Sequence, residues 1–397
     1  MRNTSPALMP QLTLPLKRLR QLLRAALHLL PWLLHLSIAN TLLSLLLPFS
    51  LINRTAAYNA SSLIAASVWA HIQRIFTSTN KAHIIVTGDA LPTGESAIVV
   101  CNHVEWSDFY MIQELALRAG MLGRCRWFAK KELKWVPFLG WGLWAMGMPL
   151  VSRKWMSDRK ELDKVFSGVV ERKWPICRLS LFRSCILYIS IRMHVRDQTM
   201  PDPFHIRPTP HSPAHQLSFI YSPLFHTTLI NSLTPLKTGL ISFSESTRLT
   251  PSKRLSAASH ALKHNKPLPN HLLLPRTKGF AASVQHLRSA PHVKAVYDVT
   301  VAYADTHTAQ PAGKTAPFAF QSPPTFVQSV FTPDVGKRWK TLVHVRRFEI
   351  GDLPVDEEGL RTWLEERWVE KGELLEELRG KMLRGEGWDE LEKDKAK

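Results

Sequence analysis

From Ala25 to Asn53 the chain runs for 29 residues without a formal charge, and the run includes LHLLPWLLHLSIANTLLSLLLPFSLI. About 20 apolar residues suffice to cross the hydrocarbon core of a bilayer, so the first expectation is a segment that attaches the chain to a membrane. Lys17, Arg18, Arg20 and Arg24 stand just before it, which favours a cytoplasmic N-terminus. A secretory signal would carry a shorter apolar core, about 7–15 residues. Pro31, Asn40 and Pro48 interrupt the run. Two arrangements therefore stand, a single membrane helix or a bent hairpin lying in one leaflet.

The charge balance narrows the partners. Lys and Arg number 51 against 32 Asp and Glu, a formal net charge of +19. That implies something anionic: nucleic acid, a membrane surface or a phosphorylated substrate. With 13 tryptophans and no alternation of basic and aromatic residues of the RNA-binding kind, no nucleic acid is expected. Membrane lipids and a phosphate-bearing lipid fit better. Cys101, Cys125, Cys177 and Cys185 show neither metal spacing nor a disulfide pattern, and nothing in them asks for an oxidising compartment. No feature specifies an oligomeric state.

Further along, VVCNHVEWSD spans Val99 to Asp108. Ala97–Cys101 is an apolar, β-branched run following Pro92 and Gly94 and reads as a buried strand. Phe109–Arg118 reads as a helix with Ser107 or Asp108 placed to cap it. On one continuous helix His103 and Asp108 would point about 140° apart. Across a strand-to-helix turn they can meet, a carboxylate holding one imidazole nitrogen while the other takes a proton. The bland alternative is a surface turn with a capping acid and an incidental histidine.

The rest of the chain reads in order. Leu63–Phe76 is an expected helix and His83–Thr87 an expected strand. Phe128–Trp135 carries Lys130, Lys131 and Lys134; Val136–Val151 then runs 16 residues without charge and holds Trp141 and Trp144. This run is too short to span a bilayer and reads either as a core helix or as an interfacial patch. It leads to Arg153, a guanidinium suited to phosphate. Asp158–Arg172 reads as a helix with Leu162, Val165, Phe166 and Val169 on one face. Cys177–Thr238 is rich in Pro, His and Ser and has no period; a structureless stretch of that length does not belong inside a compact domain. It reads as a disordered insertion or, preferably, as intron sequence retained between Ile176 and Leu240. Gly239–Ser244 is an expected strand ending in Glu245, Ser246, Thr247 and Arg248, where Arg248, positioned by Glu245, can cradle phosphate oxygens. A surface turn with an ion pair is the alternative. Lys253, Arg254, Lys263 and Lys266 follow. Leu272–Leu274 reads as a short buried strand stopped by Pro275, with Arg276, Lys278 and Gly279 as a flexible basic exit. Val293–Tyr303 and Thr341–Ile350 read as strands, Thr308–Pro324 as loop, and Asp356–Leu383 as a charged helix.

Four blocks in this order, NHVEWSD, GMPLVSR, FSESTR and LLLPRTKGF, resemble the four motifs of the glycerophospholipid acyltransferases, the family that acylates lysophosphatidic acid and other lysophospholipids. The PRTKGF form and the spacing RKW…DRKEL resemble the branch with lysocardiolipin acyltransferase-like members. The resemblance covers Leu22–Asp305 without the irregular stretch and continues into DLPVDEEGLRTWL. It implies an α/β fold, a mixed sheet flanked by helices, with the N-terminal membrane helix or hairpin added. His103 would be the general base, taking a proton from a glycerol hydroxyl that attacks an acyl-CoA thioester, and Asp108 would orient it. Gly147 and Arg153 match the second motif, Glu245, Thr247 and Arg248 the third, all with substrate-binding roles. Pro275 and its leucines match the fourth and would shape the acyl pocket. Acyl-CoA is implied as co-substrate, with no bound cofactor, no metal and no covalent enzyme intermediate.

The leading acceptor is 1-acylglycerol-3-phosphate, a lysocardiolipin-type lipid the next. The membrane expected is the endoplasmic reticulum, with a mitochondrial membrane as the alternative. Two departures stand out. The third motif reads Phe243-Ser244-Glu245-Ser246-Thr247 where the family usually has Phe-Pro-Glu-Gly-Thr, and Leu150 stands where an aromatic is common. They keep open a second reading, a catalytically inactive relative that binds lipid or a partner. The expected organisation is a basic tail (1–24), membrane segment (25–53), catalytic domain in two parts (54–176 and 239–350) around the insertion (177–238), and a charged helical region (351–397).

Overall fold

The computed structural model describes residues 13–136, 140–152, 162–163, 166–170, 238–307 and 318–388. Arg153, much of the Asp158–Arg172 helix, the irregular stretch as far as residue 237 and part of the Thr308–Pro324 loop lie outside them.

The described residues begin with two helices, α1 (Thr13–Phe49) and α2 (Arg54–Arg74). Pro31 and Pro48 lie inside α1 without ending it, so the apolar run is one helix and the reversal comes after Phe49. There Asn53 caps α2, its side chain accepting the Ala56 N–H at 3.0 Å. The two helices pack antiparallel: Arg24 reaches Asn80 (2.7 Å), Trp32 reaches the Val68 carbonyl, and His35 reaches Ser67 (3.0 Å). Trp32, Leu36, Ala39, Leu43 and Leu47, spaced three and four apart, form the buried stripe of α1. Leu27, Leu30, Leu34, Ile38, Leu42 and Leu45 lie on its other side, exposed. Leu22–Phe49 is the one stretch among the described residues long and apolar enough to cross a membrane.

The strands and helices that follow are β1 (Ile84–Gly88), β2 (Ser96–Cys101), α3 (Asp108–Arg118), β3 (Cys125–Trp127), β4 (Ala129–Lys130), α4 (Gly140–Ala145) and β5 (Leu150–Val151). After the undescribed stretch come β6 (Gly239–Phe243), α5 (Pro251–Lys263), α6 (Thr277–Leu287), β7 (Val293–Asp305), β8 (Ala319–Phe320), α7 (Phe326–Phe331), α8 (Val335–Arg338), β9 (Trp339–Glu349) and α9 (Glu357–Leu383). Among the described residues, seven strands form a mixed sheet ordered β1-β9-β7-β2-β6-β3, with β8 on β7; β4 and β5 make a separate pair. β7, β2, β6 and β3 run parallel, so their C-terminal ends share one rim. β9 is antiparallel to β7.

β2 is buried on both faces, as a parallel strand between helical layers must be. Ala97, Val99 and Cys101 join a cluster with Leu36, Val68, Ile72 and Met111. Ile98 and Val100 face the other layer, with Phe280, Val284, Leu364 and Leu375 of α6 and α9.

Several expectations need correcting. The helix expected from Leu63 starts at Arg54. Among its described residues the Val136–Val151 run holds a six-residue helix, α4, packed on α1, and the short strand β5, with Leu143 buried but Trp141 51% exposed. Leu272–Leu274 joins no ladder, because its backbone groups are taken by side chains described below. The basic exit is not flexible: Thr277 to Leu287 is α6, buried through Phe280, Ala281, Val284 and Leu287.

Candidate active site

β2 delivers Asn102 and His103 to the rim. Asn102 is fully buried and extends the ladder by one rung with its side chain, donating to the Val301 carbonyl (3.1 Å) and accepting the Val301 N–H (2.9 Å). The chain beyond is thereby fixed in register against β7. His103 Nδ1 lies 2.8 Å from Asp108 Oδ2, so the turn brings together the two residues paired in the sequence. The same oxygen accepts the amides of Val104 (2.7 Å) and Glu105 (3.1 Å), and Oδ1 accepts the Tyr303 hydroxyl (2.7 Å). A carboxylate at 0% exposure is costly unless its oxygens are satisfied. Here they are. The His103 side chain is 14% exposed and stacks on Phe243, ring centroids 4.3 Å apart. With Nδ1 committed, Nε2 is the nitrogen left to face a substrate.

The third motif sits beside the first because β2 and β6 are paired, Cys101 against Phe243. Glu245 does not position Arg248. It turns inward, one oxygen accepting the His103 amide (3.3 Å) and the other the Leu273 amide (3.2 Å). Burial pushes its carboxyl up to about 8 despite these donors. Arg248 points outward, 55% exposed, and pairs with Glu105 of the histidine turn. Thr247 is half-buried, between these two. The Leu249 amide bonds the His103 carbonyl (2.9 Å), and the Arg276 amide bonds the Ser244 carbonyl (2.7 Å). Ser246, which stands where the family pattern has glycine, has φ +59°, a conformation natural to glycine and strained for serine.

The fourth motif reaches the same place through Leu273, whose amide serves Glu245 and whose carbonyl accepts the Trp368 indole N–H (3.0 Å). Those bonds are why Leu272–Leu274 has no strand partner. Pro275 is half-buried next to it. The second motif approaches from the sheet edge: the Trp127 amide contacts Met148 Sδ (3.2 Å), the Ala129 amide bonds the Pro149 carbonyl (3.0 Å), and Trp127 packs near Phe243. Gly147, with φ +76°, makes the turn out of α4; nothing in this geometry gives it a ligand contact. Arg153 is outside the described residues.

Tyr303 and Trp368 belong to no motif singled out in the sequence. For Tyr303 the sequence offers only a weak signal, since it is one of two tyrosines, with Tyr297, in the alternating strand β7. Trp368 lies among charged residues of a helix whose buried face gives no hint of the site. Among the described residues no group of three or more His, Cys, Asp or Glu is arranged to hold a metal ion.

Two family models match the chain: Acyltransferase over residues 83–177 and Acyltransferase C-terminus over residues 335–381. An uncharacterized acyltransferase of Schizosaccharomyces pombe is 26% identical over 284 residues, covering 72% of this chain and 60% of that protein. The 1-acyl-sn-glycerol-3-phosphate acyltransferase 2 of Arabidopsis thaliana is 28% identical over 282 residues, covering 71% and 51%. The chain thus spans little more than half the length of the curated relatives it matches. A solved structure, the 1-acyl-sn-glycerophosphate acyltransferase PlsC of Thermotoga maritima, aligns over 87% of this chain and 98% of its own at 15% identity, with a TM-score of 0.36, too distant to weigh. Its domain matches and relatives thus make residues 83–177 and 335–381 similar to an acyltransferase domain and its C-terminal part, and the chain as a whole similar to 1-acyl-sn-glycerol-3-phosphate acyltransferases.

Proposed function

We propose that the protein transfers a fatty acyl group from acyl-CoA to the free hydroxyl of a lysophospholipid, with 1-acylglycerol-3-phosphate as the leading acceptor. The observation that carries this reading is the 2.8 Å contact between His103 Nδ1 and the buried Asp108 carboxylate at the sheet rim. In the proposed reaction Nε2 takes the proton of the acceptor hydroxyl as its oxygen bonds to the thioester carbonyl carbon. Asp108 stabilises the imidazolium. The tetrahedral adduct then collapses, the C–S bond breaks, and the CoA sulfur leaves as the proton passes to it. The acceptor is its own nucleophile, so no acyl-enzyme is needed.

Charge supports an anionic substrate. Between Glu245 and Asp298 the chain carries nine lysines and arginines and no acidic residue. Arg248 opens this stretch beside His103 and Arg276 is exposed near it; with Arg153 they are the proposed phosphate ligands, Arg248 exchanging Glu105 for phosphate. Thr247 and Gly147 are retained as substrate-side residues and Pro275 as part of the acyl pocket. Glu245, held between two amides, acts as a strut.

The exposed leucines of α1 would face lipid, with Trp135 and Trp141 at the headgroup level. The proposed location is a membrane, the endoplasmic reticulum ahead of the mitochondrion. Residues 177–238 are proposed to be retained intron sequence between the two halves of the catalytic domain; a transcript carrying them in frame contradicts this.

A second reading rests on Ser246: its strained backbone, together with Ser244, suits a relative that has lost activity while keeping the fold. Product analysis by mass spectrometry decides between them, using the full chain, with and without 177–238, acyl-CoA and a panel of lysophospholipids. Phosphatidic acid from lysophosphatidic acid, or lysocardiolipin that has gained one acyl chain, supports transfer. No product with any acceptor supports the inactive relative.

A further inference from the structure

Of the groups that surround the His103–Asp108 pair, one is a buried side chain that neither motif nor family match contains. β2 ends opposite Val299, so residues 300–305 of β7 overrun it and lie alongside the histidine turn. That overhang clasps Asn102 through Val301 and brings the Tyr303 hydroxyl to 2.7 Å from Asp108 Oδ1. Tyr303 is 0% exposed and its backbone is locked opposite Thr341 of β9. We propose that Tyr303 is a positioning residue that sets the proton affinity of His103 through Asp108.

The argument is electrostatic. Asp108 Oδ2 serves His103, Val104 and Glu105, whereas Oδ1 is bonded by Tyr303. A hydrogen bond donated to Oδ1 draws carboxylate charge away from Oδ2 and lowers what is left to hold an imidazolium. Without it, charge concentrates toward His103 and the ring binds its proton more tightly. The phenol remains a donor across the working range, because burial, with Asp108 beside it, pushes its ionisation well above the ordinary tyrosine value. Other charged or titratable groups face the pair from each neighbouring element: Cys101 at the end of β2, Glu105 in the turn, Glu245 after β6, and Arg248 on Glu105. None of them donates to Oδ1.

The catalytic consequence rests on the acyl-transfer reading; the effect on His103 does not. The test is a carbon-13 NMR titration of histidine-labelled full chain in detergent micelles, His103 being assigned by the signal missing from His103→Gln. In Tyr303→Phe the His103 midpoint should rise by about half to one pH unit, a threefold to tenfold gain in proton affinity. The acid limb of kcat/KM should move with it while KM for the lysophospholipid changes less than about twofold. An unmoved midpoint overturns the proposal, even if activity falls, since a merely structural tyrosine would lower activity without moving the titration. Should Tyr303→Phe fail to fold, site-specific 3-fluorotyrosine at position 303, a stronger donor of the same shape, should move the midpoint downward; no movement, or movement upward, overturns it. If the unmutated chain transfers no acyl group, the proposed function fails while the imidazole titration still decides the role of Tyr303.

Discussion

Two residues at the rim carry strain or desolvation that a variant can relieve or expose. Ser246 holds φ +59° where the family pattern has glycine. Ser246→Gly should therefore stabilise the fold by about 1 kcal/mol, read as a raised midpoint in urea or heat. Glu245 makes an opposite case. Both its oxygens accept backbone amides, and the amide of a glutamine offers only one acceptor. Glu245→Gln should cost about 1–3 kcal/mol at pH 5. Its pH dependence follows from burial, which raises the carboxyl from 4.5 to about 8. The folded state keeps a proton that the unfolded chain releases, so this contribution is full below pH 4.5 and is lost as pH rises to about 8. Denaturation midpoints should fall across that window in the unmutated chain and fall less in Glu245→Gln. At this scale the sequence was legible for His103 and Asp108, because a strand followed by a helix leaves few ways to place residues five apart. It was not legible for Glu245: an acid two residues before a threonine and three before an arginine looks like a surface cluster. Only the pairing of β2 with β6 turns it inward.

Elements were legible where one physical signal dominated. β2, β7 and β9 announce themselves by β-branched runs, α3 and α9 by helical periodicity and an acid at the start. α6 escapes the sequence reading although Phe280, Ala281, Val284 and Leu287 fall on one helical face, because Pro275 just ahead of it and Gly279 in its first turn resemble breakers. Leu272–Leu274 has a strand's composition but no sheet edge to join, a fact of tertiary structure alone. Close approach of elements is equally invisible in sequence. At Gly123 an added Cβ would lie 2.0 Å from the Ser62 carbonyl oxygen of α2. Gly123→Ala should force that turn off α2 and lower stability by about 1–3 kcal/mol, again read by denaturation. A second tie is electrostatic. Lys371 of α9 is fully buried, its Nζ bonding Asp298 Oδ1 (2.6 Å), the Val299 carbonyl (2.7 Å) and Thr300 (3.1 Å). Lys371→Met should cost nearer 3 than 5 kcal/mol of the range for a broken buried pair, about 3–5, since Arg346 stays on Asp298 Oδ2.

Over the whole molecule, strands far apart in sequence converge so that their C-terminal ends carry the histidine turn, the inward glutamate and the clasp from β7. The C-terminal helix α9 is joined to this centre through Trp368, Leu273 and Glu245. The N-terminal pair α1–α2 closes the opposite face of the sheet and leaves an apolar stripe outward. If that stripe meets lipid, Leu27→Ser with Leu34→Ser should weaken flotation on vesicles without changing the denaturation midpoint. The central claim is that the buried carboxylate and its imidazole do the chemistry. The most direct measurement is the initial rate of acyl transfer from labelled acyl-CoA to lysophosphatidic acid in vesicles, His103→Ala against the unmutated chain at equal membrane-bound protein. Loss of the general base predicts a fall of about 10²–10⁴-fold. A rate within about threefold of the unmutated chain, well inside what losing a base would remove, would contradict the account.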